Sequence, residues 1–138
     1  MEKVFHYRNH IQDISRISDD LGALAKEWAI PVSELRQVTV IVEELISNII
    51  RFAFQDADPH LIRVMVGKED RLLIIRITDD GIPFNPMEYH PPPITDPASV
   101  EAGGMGIVLV RTFSDSIDYK RIDHENRLTV IKTIKSKH

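Results

Sequence analysis

Apolar residues recur at spacings of three and four along residues 11–29, at Ile11, Ile14, Ile17, Leu21, Leu24, Ala25 and Trp28, which predicts an amphipathic helix. Pro31 is expected to end it, and Ser33 to cap a second helix that carries Glu34 in its first turn and runs to about Phe54. From residue 61 the texture changes. Leu61-Ile-Arg-Val-Met-Val and Arg71-Leu-Leu-Ile-Ile-Arg-Ile-Thr78 are rich in strand-favouring residues and predict an antiparallel hairpin that turns over Lys68-Glu-Asp-Arg71. Residues 80–103 hold most of the prolines, including Pro91-Pro92-Pro93, and have no periodicity; so long an irregular stretch in a compact domain is usually a functional lid or a disordered segment. Residues 104–113 read as a short apolar helix, 116–122 and 127–134 as strands, with a further strand near Val4. No repeat and no shift of composition divides the chain, so residues 1–138 are expected to form a single domain.

Composition narrows the class. A chain of 138 residues is long enough to bury one core, and its 43% hydrophobic and 28% charged residues lie near the averages of soluble globular domains. No apolar run approaches the roughly 20 residues that span a bilayer, and the N-terminal residues lack the pattern of a secretory signal, so a cytoplasmic protein without a membrane partner is expected. The absence of cysteine removes disulfides, thiolate catalysis and cysteine-rich zinc sites. A net charge of -4 without a long Lys/Arg cluster argues against direct nucleic-acid binding. The six histidines are scattered, with no i,i+4 pair on a helix, which argues against a structural metal site.

Three clusters carry candidate chemistry. On the second helix, at about 100° per residue, Asn48, Arg51, Ser47 and Gln37 fall near Glu44 while Leu35, Val38, Val42, Leu45 and Ile49 fall opposite. Glu44 and Asn48 thus present a carboxylate and an amide side by side, which suits a general base next to a hard-cation ligand; taken alone, they also suit a solvated helix face. Asp79-Asp80-Gly81-Ile82-Pro83-Phe84 follows an apolar strand, where an aspartate can accept from an exocyclic amine and a glycine lets a base approach; the same residues also favour a plain turn. Gly103-Gly104-Met105-Gly106-Ile107 opens an apolar helix, a junction that offers backbone N–H groups and a positive dipole end to phosphate, or a flexible hinge.

The order of these clusters resembles that of the GHKL (Bergerat) ATPases, the superfamily of gyrase and the histidine kinases. Glu44-Leu-Ile-Ser-Asn48 resembles its N box, Asp79-Asp-Gly-Ile-Pro83 its first glycine box and Gly104-Met-Gly106 its second. The Glu-Glu-Leu-x-x-Asn form, Gly-Gly-Met-Gly-Ile and the final Asn126-Arg-Leu-Thr-Val130 are similar to the anti-sigma-factor serine/threonine kinases.

The resemblance implies an α/β (α+β) two-layer sandwich of Bergerat type, a mixed and mostly antiparallel sheet with helices on one face. It implies ATP and Mg2+ as cofactors. Glu44 would be the base that activates the attacking hydroxyl, Asn48 a magnesium ligand and Asp79 the acceptor of the adenine amino group. Gly81 would lie against the nucleotide and the stretch from about Phe84 to Gly103 would be the lid. Gly103, Gly104, Met105, Gly106 and Ile107 would form the phosphate-binding turn. Pro83 stands where many members have glycine, and Arg51 where several kinases have histidine. The implied activity is phosphorylation of a STAS-type antagonist, with a sigma factor as a second partner and a homodimer as the assembly. Sequestration of those partners without chemistry would use the same pocket. A phosphorelay role lacks a phosphoaccepting histidine on the first helix, beyond the flanking His10.

Overall fold

The computed structural model describes residues 1–88 and 103–135, with side chains taken from Gly106 onward in the second stretch. Strands β1 (Glu2–Arg8), β2 (Leu61–Glu69), β3 (Leu72–Asp79), β4 (Ser116–Ile122) and β5 (Glu125–Thr133) form one sheet in the order β1-β2-β3-β5-β4. All four neighbouring pairs are antiparallel, so the sheet of the described residues is antiparallel throughout. Helices α1 (Ser15–Glu27), α2 (Val32–Phe52) and α3 (Gly103–Phe113) complete the two layers.

Period-two alternation decides which side is buried. Ile62, Val64 and Val66 of β2, Leu73, Ile75 and Ile77 of β3, and Leu128 and Val130 of β5 enter one core with Ile41, Val42, Leu45, Ile46 and Ile49 of α2. Registered rows cross the sheet on this face: Phe5, Val64, Ile77, Leu128 and Tyr119 make one, and Asp79, Asn126 and Arg121 end another. Asp79 therefore points toward the helix layer at the sheet's margin.

Three helix boundaries differ from expectation, each for a local reason. Residues 11–14 form a 3-10 turn before α1, which leaves Ile11 60% exposed instead of facing the core. Helix α1 stops before Pro31 is reached: Ala29 is left-handed at φ 55, and the Ile30 N–H closes back on the Ala25 carbonyl at 2.8 Å. Helix α2 starts at Val32 with Pro31 as its N-cap, and Ser33 makes no capping bond because it already lies inside the first turn.

A buried cation ties the layers together. Lys132 of β5 is 6% exposed, lies 3.3 Å from the Glu34 carboxylate at the start of α2, and donates to Gln37 and, at 2.9 Å, to the Phe113 carbonyl ending α3. Removing one member of such a buried pair costs about 3–5 kcal/mol, because the other charge is left without compensation.

Candidate functional site

The site begins where β3 runs out. Asp79 is 2% exposed, and its Oδ1 accepts from the Gly81 N–H and from Asn126 Nδ2, both at 2.9 Å. Burial pushes its carboxyl above the usual range, while the Asn126 and Gly81 hydrogen bonds pull the other way. Gly81 is required by contact: a Cβ there would fall 2.3 Å from the Ala53 carbonyl oxygen, and the next residue, Ile82, donates to that same oxygen at 2.7 Å. The loop is thereby stitched to the C-terminus of α2. Arg121 of β4 adds a bond to the Gly81 carbonyl at 2.7 Å.

Asn126 lies opposite Asp79 across the β3–β5 ladder and joins four groups. Its Nδ2 donates to Asp79 Oδ1 and to the Ile82 carbonyl at 2.7 Å; its Oδ1 accepts from the Phe84 N–H at 3.1 Å and from the Tyr119 hydroxyl at 2.5 Å. Two acceptors face the nitrogen and two donors face the oxygen, so only one orientation of the amide satisfies all four.

The other half of the site stands on α2. Glu44 is half-buried, and burial raises its carboxyl above the ordinary range against the opposing charge of Arg51. Its neighbour Glu43 is raised likewise, by burial first and by the Glu44 charge second. Asn48, one turn on, is 1% exposed, and its Nδ2 lacks a hydrogen-bond partner. Arg51, at the end of the expected polar face, is exposed, but the part at Glu44 and Asn48 is covered. Helix α3 covers it, and Gly106 approaches so closely that a Cβ would fall 1.8 Å from Glu44 Oε2. Ile107, the next residue, is 4% exposed.

A charged clamp flanks the Asp79 loop. His60 bonds Asp80 through Nδ1 at 2.9 Å and Asp56 through Nε2 at 2.7 Å, and its ring stacks on Phe54 at 4.5 Å. The hydrogen bond to Asp56 and the pair with Asp80 raise its pKa, with burial opposing. A cleft of about 410 Å3 opens beside it, lined by Ala53, His60, Asp80, Gly81, Pro83 and Arg121.

Of the residues singled out from sequence, Asp79, Gly81 and Pro83 come together on one loop, and Glu44 meets Gly106 across two helices. Gly103, Gly104 and Met105 fall in the first turn of α3. The expected lid extends into residues 89–102, which lie outside the described residues. The bonding roles of Asn126 and Tyr119 were not foreseen. Asn126 stands in the sequence as the first residue of the motif Asn126-Arg-Leu-Thr-Val130, just ahead of the strand expected from residue 127. In fact Asp123 and His124, at φ 50 and 65, make the whole turn, and β5 already includes Asn126.

Among the described residues, no helix is long and apolar enough to cross a membrane, and no group of three or more His, Asp or Glu side chains could hold a metal ion. The sequence is similar to the serine/threonine-protein kinase BtrW of Bordetella bronchiseptica, with 29% identity over 110 residues covering 78% of this chain and 75% of that one. It is similar to the anti-sigma F factor of Clostridium beijerinckii, with 26% identity over 73% of this chain and 71% of that one. The match to the anti-sigma F factor of Bacillus cytotoxicus, at 26% identity, covers 63% of this chain and only 60% of the relative's length. A histidine kinase of Acinetobacter baumannii, AdeS, superposes with a TM-score of 0.49 at 11% identity, over 97% of this chain and 68% of that one. The description of the histidine kinase-like ATPase domain matches residues 8–132, and the chain belongs to that family.

Proposed function

We propose that the chain is an ATP-dependent serine/threonine protein kinase of the anti-sigma-factor type. In this reading it phosphorylates a STAS-type antagonist and controls a sigma factor by switching between the two partners. The observation that carries it is the contact of Glu44 with Gly106, which sets a carboxylate raised by burial against the turn expected to hold phosphates. A raised carboxyl accepts a proton from an attacking hydroxyl more readily than an ordinary one.

The residues fit the nucleotide and its metal. Asn48 is buried at 1% exposure with an unpartnered amide nitrogen, a donor that suits an acceptor such as a phosphate oxygen. Its side-chain oxygen is a hard donor of the kind magnesium takes, and Mg2+ held by Asn48 supplies neutralisation of phosphate charge. Asp79 receives the adenine amine, and Gly81 and Pro83 border the base. The N–H groups that the start of α3 leaves free, at Gly103, Gly104 and Met105, would face the phosphates, with Gly106 and Ile107 packed in the same turn. Glu44 takes the proton of the substrate serine or threonine hydroxyl as the hydroxyl oxygen bonds to the γ-phosphorus and the bond from that phosphorus to the β–γ bridging oxygen breaks, leaving ADP. Residues 1–138 act as one cytoplasmic domain and pair as a homodimer. Helix α1 lends the dimer little, since its Ile17, Leu21 and Leu24 are buried and the flanking Ile14 and Ile30 also pack on the core.

The test is transfer of radiolabel from ATP labelled at its γ-phosphate to a cognate STAS-type partner. Glu44→Gln should bind ATP normally and slow transfer by about 10²–10⁴. Nucleotide-dependent binding of the STAS protein without any transfer by the parent would leave a sequestering module instead. Sedimentation equilibrium at micromolar concentrations tests the dimer, and a single monomer mass with and without ATP would refute it.

A further inference from the structure

We propose that Asn126 is a positioning residue for base selection, holding the Asp79 carboxylate in the one orientation that favours 6-aminopurine over 6-oxopurine nucleotides. This rests on the reading of Asp79 as the acceptor of the base. The argument starts from the hydrogen-bond inventory of the corner. Asp79 Oδ1 is taken by two donors, the Gly81 N–H and Asn126 Nδ2, so the plane of the carboxylate is fixed and only its other oxygen is left to meet a ligand. Asn126 is itself fixed from outside the site, because its oxygen is held by the Phe84 N–H and the Tyr119 hydroxyl. Its second donor bond, to the Ile82 carbonyl, sets the loop that carries Gly81 and Pro83. One amide therefore relates β4, β5, the end of β3 and the loop bordering the base.

The charge state follows the same wiring. Burial favours the neutral acid at Asp79, and the Asn126 bond is the largest influence opposing it. A carboxylate accepts from a 6-amino group and repels a 6-oxo group, whereas a neutral acid can donate to the 6-oxo oxygen. Losing Asn126 thus both frees the carboxylate to rotate and moves it toward the form that no longer rejects the oxo base.

The experiment is calorimetric titration of the full chain with ATP and with ITP, each with magnesium. The parent should prefer ATP. In Asn126→Ala, ATP affinity should fall about tenfold while ITP affinity stays within about twofold. The ATP affinity of the variant should also decline at a higher pH than that of the parent as the solution is acidified. Tyr119→Phe, which removes one bond to Asn126 and leaves Asp79 untouched, should lower the ATP:ITP ratio in the same direction by less, and it serves if the alanine variant does not fold. Equal losses for ATP and ITP, or an unchanged ratio in a folded variant, would overturn the positioning role. A parent that binds ATP and ITP equally would overturn the reading of Asp79 itself, and the inference with it.

Discussion

Gly106 lies against Glu44 so tightly that a methyl group on its α-carbon would fall 1.8 Å from the Glu44 Oε2 and 2.3 Å from its Cδ. The obstruction is the far end of a flexible side chain, which can turn aside. Gly106→Ala should therefore fold, at a cost below that of an ordinary core clash, but displace the proposed base and cut phosphotransfer at least tenfold. Gly81→Ala meets a different obstacle, the Ala53 carbonyl at 2.3 Å, which is backbone at the end of α2. Its cost should fall on stability, about 1–3 kcal/mol. Urea unfolding beside a transfer assay separates the two, and the reverse ranking would mean that the contact at Gly106 is structural.

Asp79→Asn should trade function against stability. The parent carboxyl is raised, by burial first, so its folded pKa lies above the unfolded value of about 3.9. The associated stability is full below that unfolded value and is lost as pH rises through the folded pKa. Asparagine keeps the shape and an acceptor oxygen but never ionises, so it escapes this loss. The two proteins should match near pH 4, and the variant should be the more stable at pH 7.5, while its ATP affinity falls about tenfold to a hundredfold. Denaturation at both pH values is decisive: a variant less stable at pH 7.5 would show that the Asn126 and Gly81 bonds outweigh burial.

The layers and the order of the elements were legible because periodicity records them directly: Ile62, Val64 and Val66 alternate, and Ile41, Leu45 and Ile49 repeat at helical spacing. Contacts across elements were not. Asn48 reads as a residue of a polar face, yet it is buried because α3, 55 residues away at Gly103, folds over that face. Ser33 has the chemistry of a cap, but the backbone of Pro31, at ψ 147, starts the helix one residue ahead of it. Asn126 falls just before the strand expected from residue 127, and only the pairing of Ile122 with Glu125 shows that the strand has begun by then. Asn48 was decided by packing at long range and Asn126 by strand register, neither of which a local window contains, while Ser33 was decided by the backbone angle at Pro31, which residue types alone do not fix.

Ala29→Gly should stabilise the chain. A left-handed alanine costs roughly 1–2 kcal/mol, against about 0.5–1 kcal/mol of extra unfolded-state freedom for glycine, which leaves a small net gain. Thermal unfolding should show a Tm rise of a few degrees with ATP affinity unchanged, since Ala29 joins α1 to α2 far from Asp79 in sequence. A lower Tm would mean that the alanine methyl makes packing contacts worth more than the strain.

His60 should make nucleotide affinity depend on pH above neutrality. Its imidazole is held between Asp56, on the connection from α2 to β2, and Asp80, beside the proposed base acceptor. The Asp56 bond and then the Asp80 pair raise its pKa above the ordinary 6.5. For a base whose folded pKa is raised, the stabilisation is full below the unfolded pKa and is lost as pH rises through the folded one. On deprotonation the ring keeps only one N–H, so it can donate to one of the two carboxylates and must face the other with a lone pair. The released tie is that between the α2–β2 connection and the Asp79 loop. ATP affinity of the parent should therefore weaken as the pH rises from about 6.5 to about 9. His60→Gln has no charge to lose and should bind ATP with a flat profile over the same range, at about the level the parent reaches at its alkaline end. Titration calorimetry at constant ionic strength provides the comparison, and a parallel decline in parent and variant would assign the pH dependence to another group.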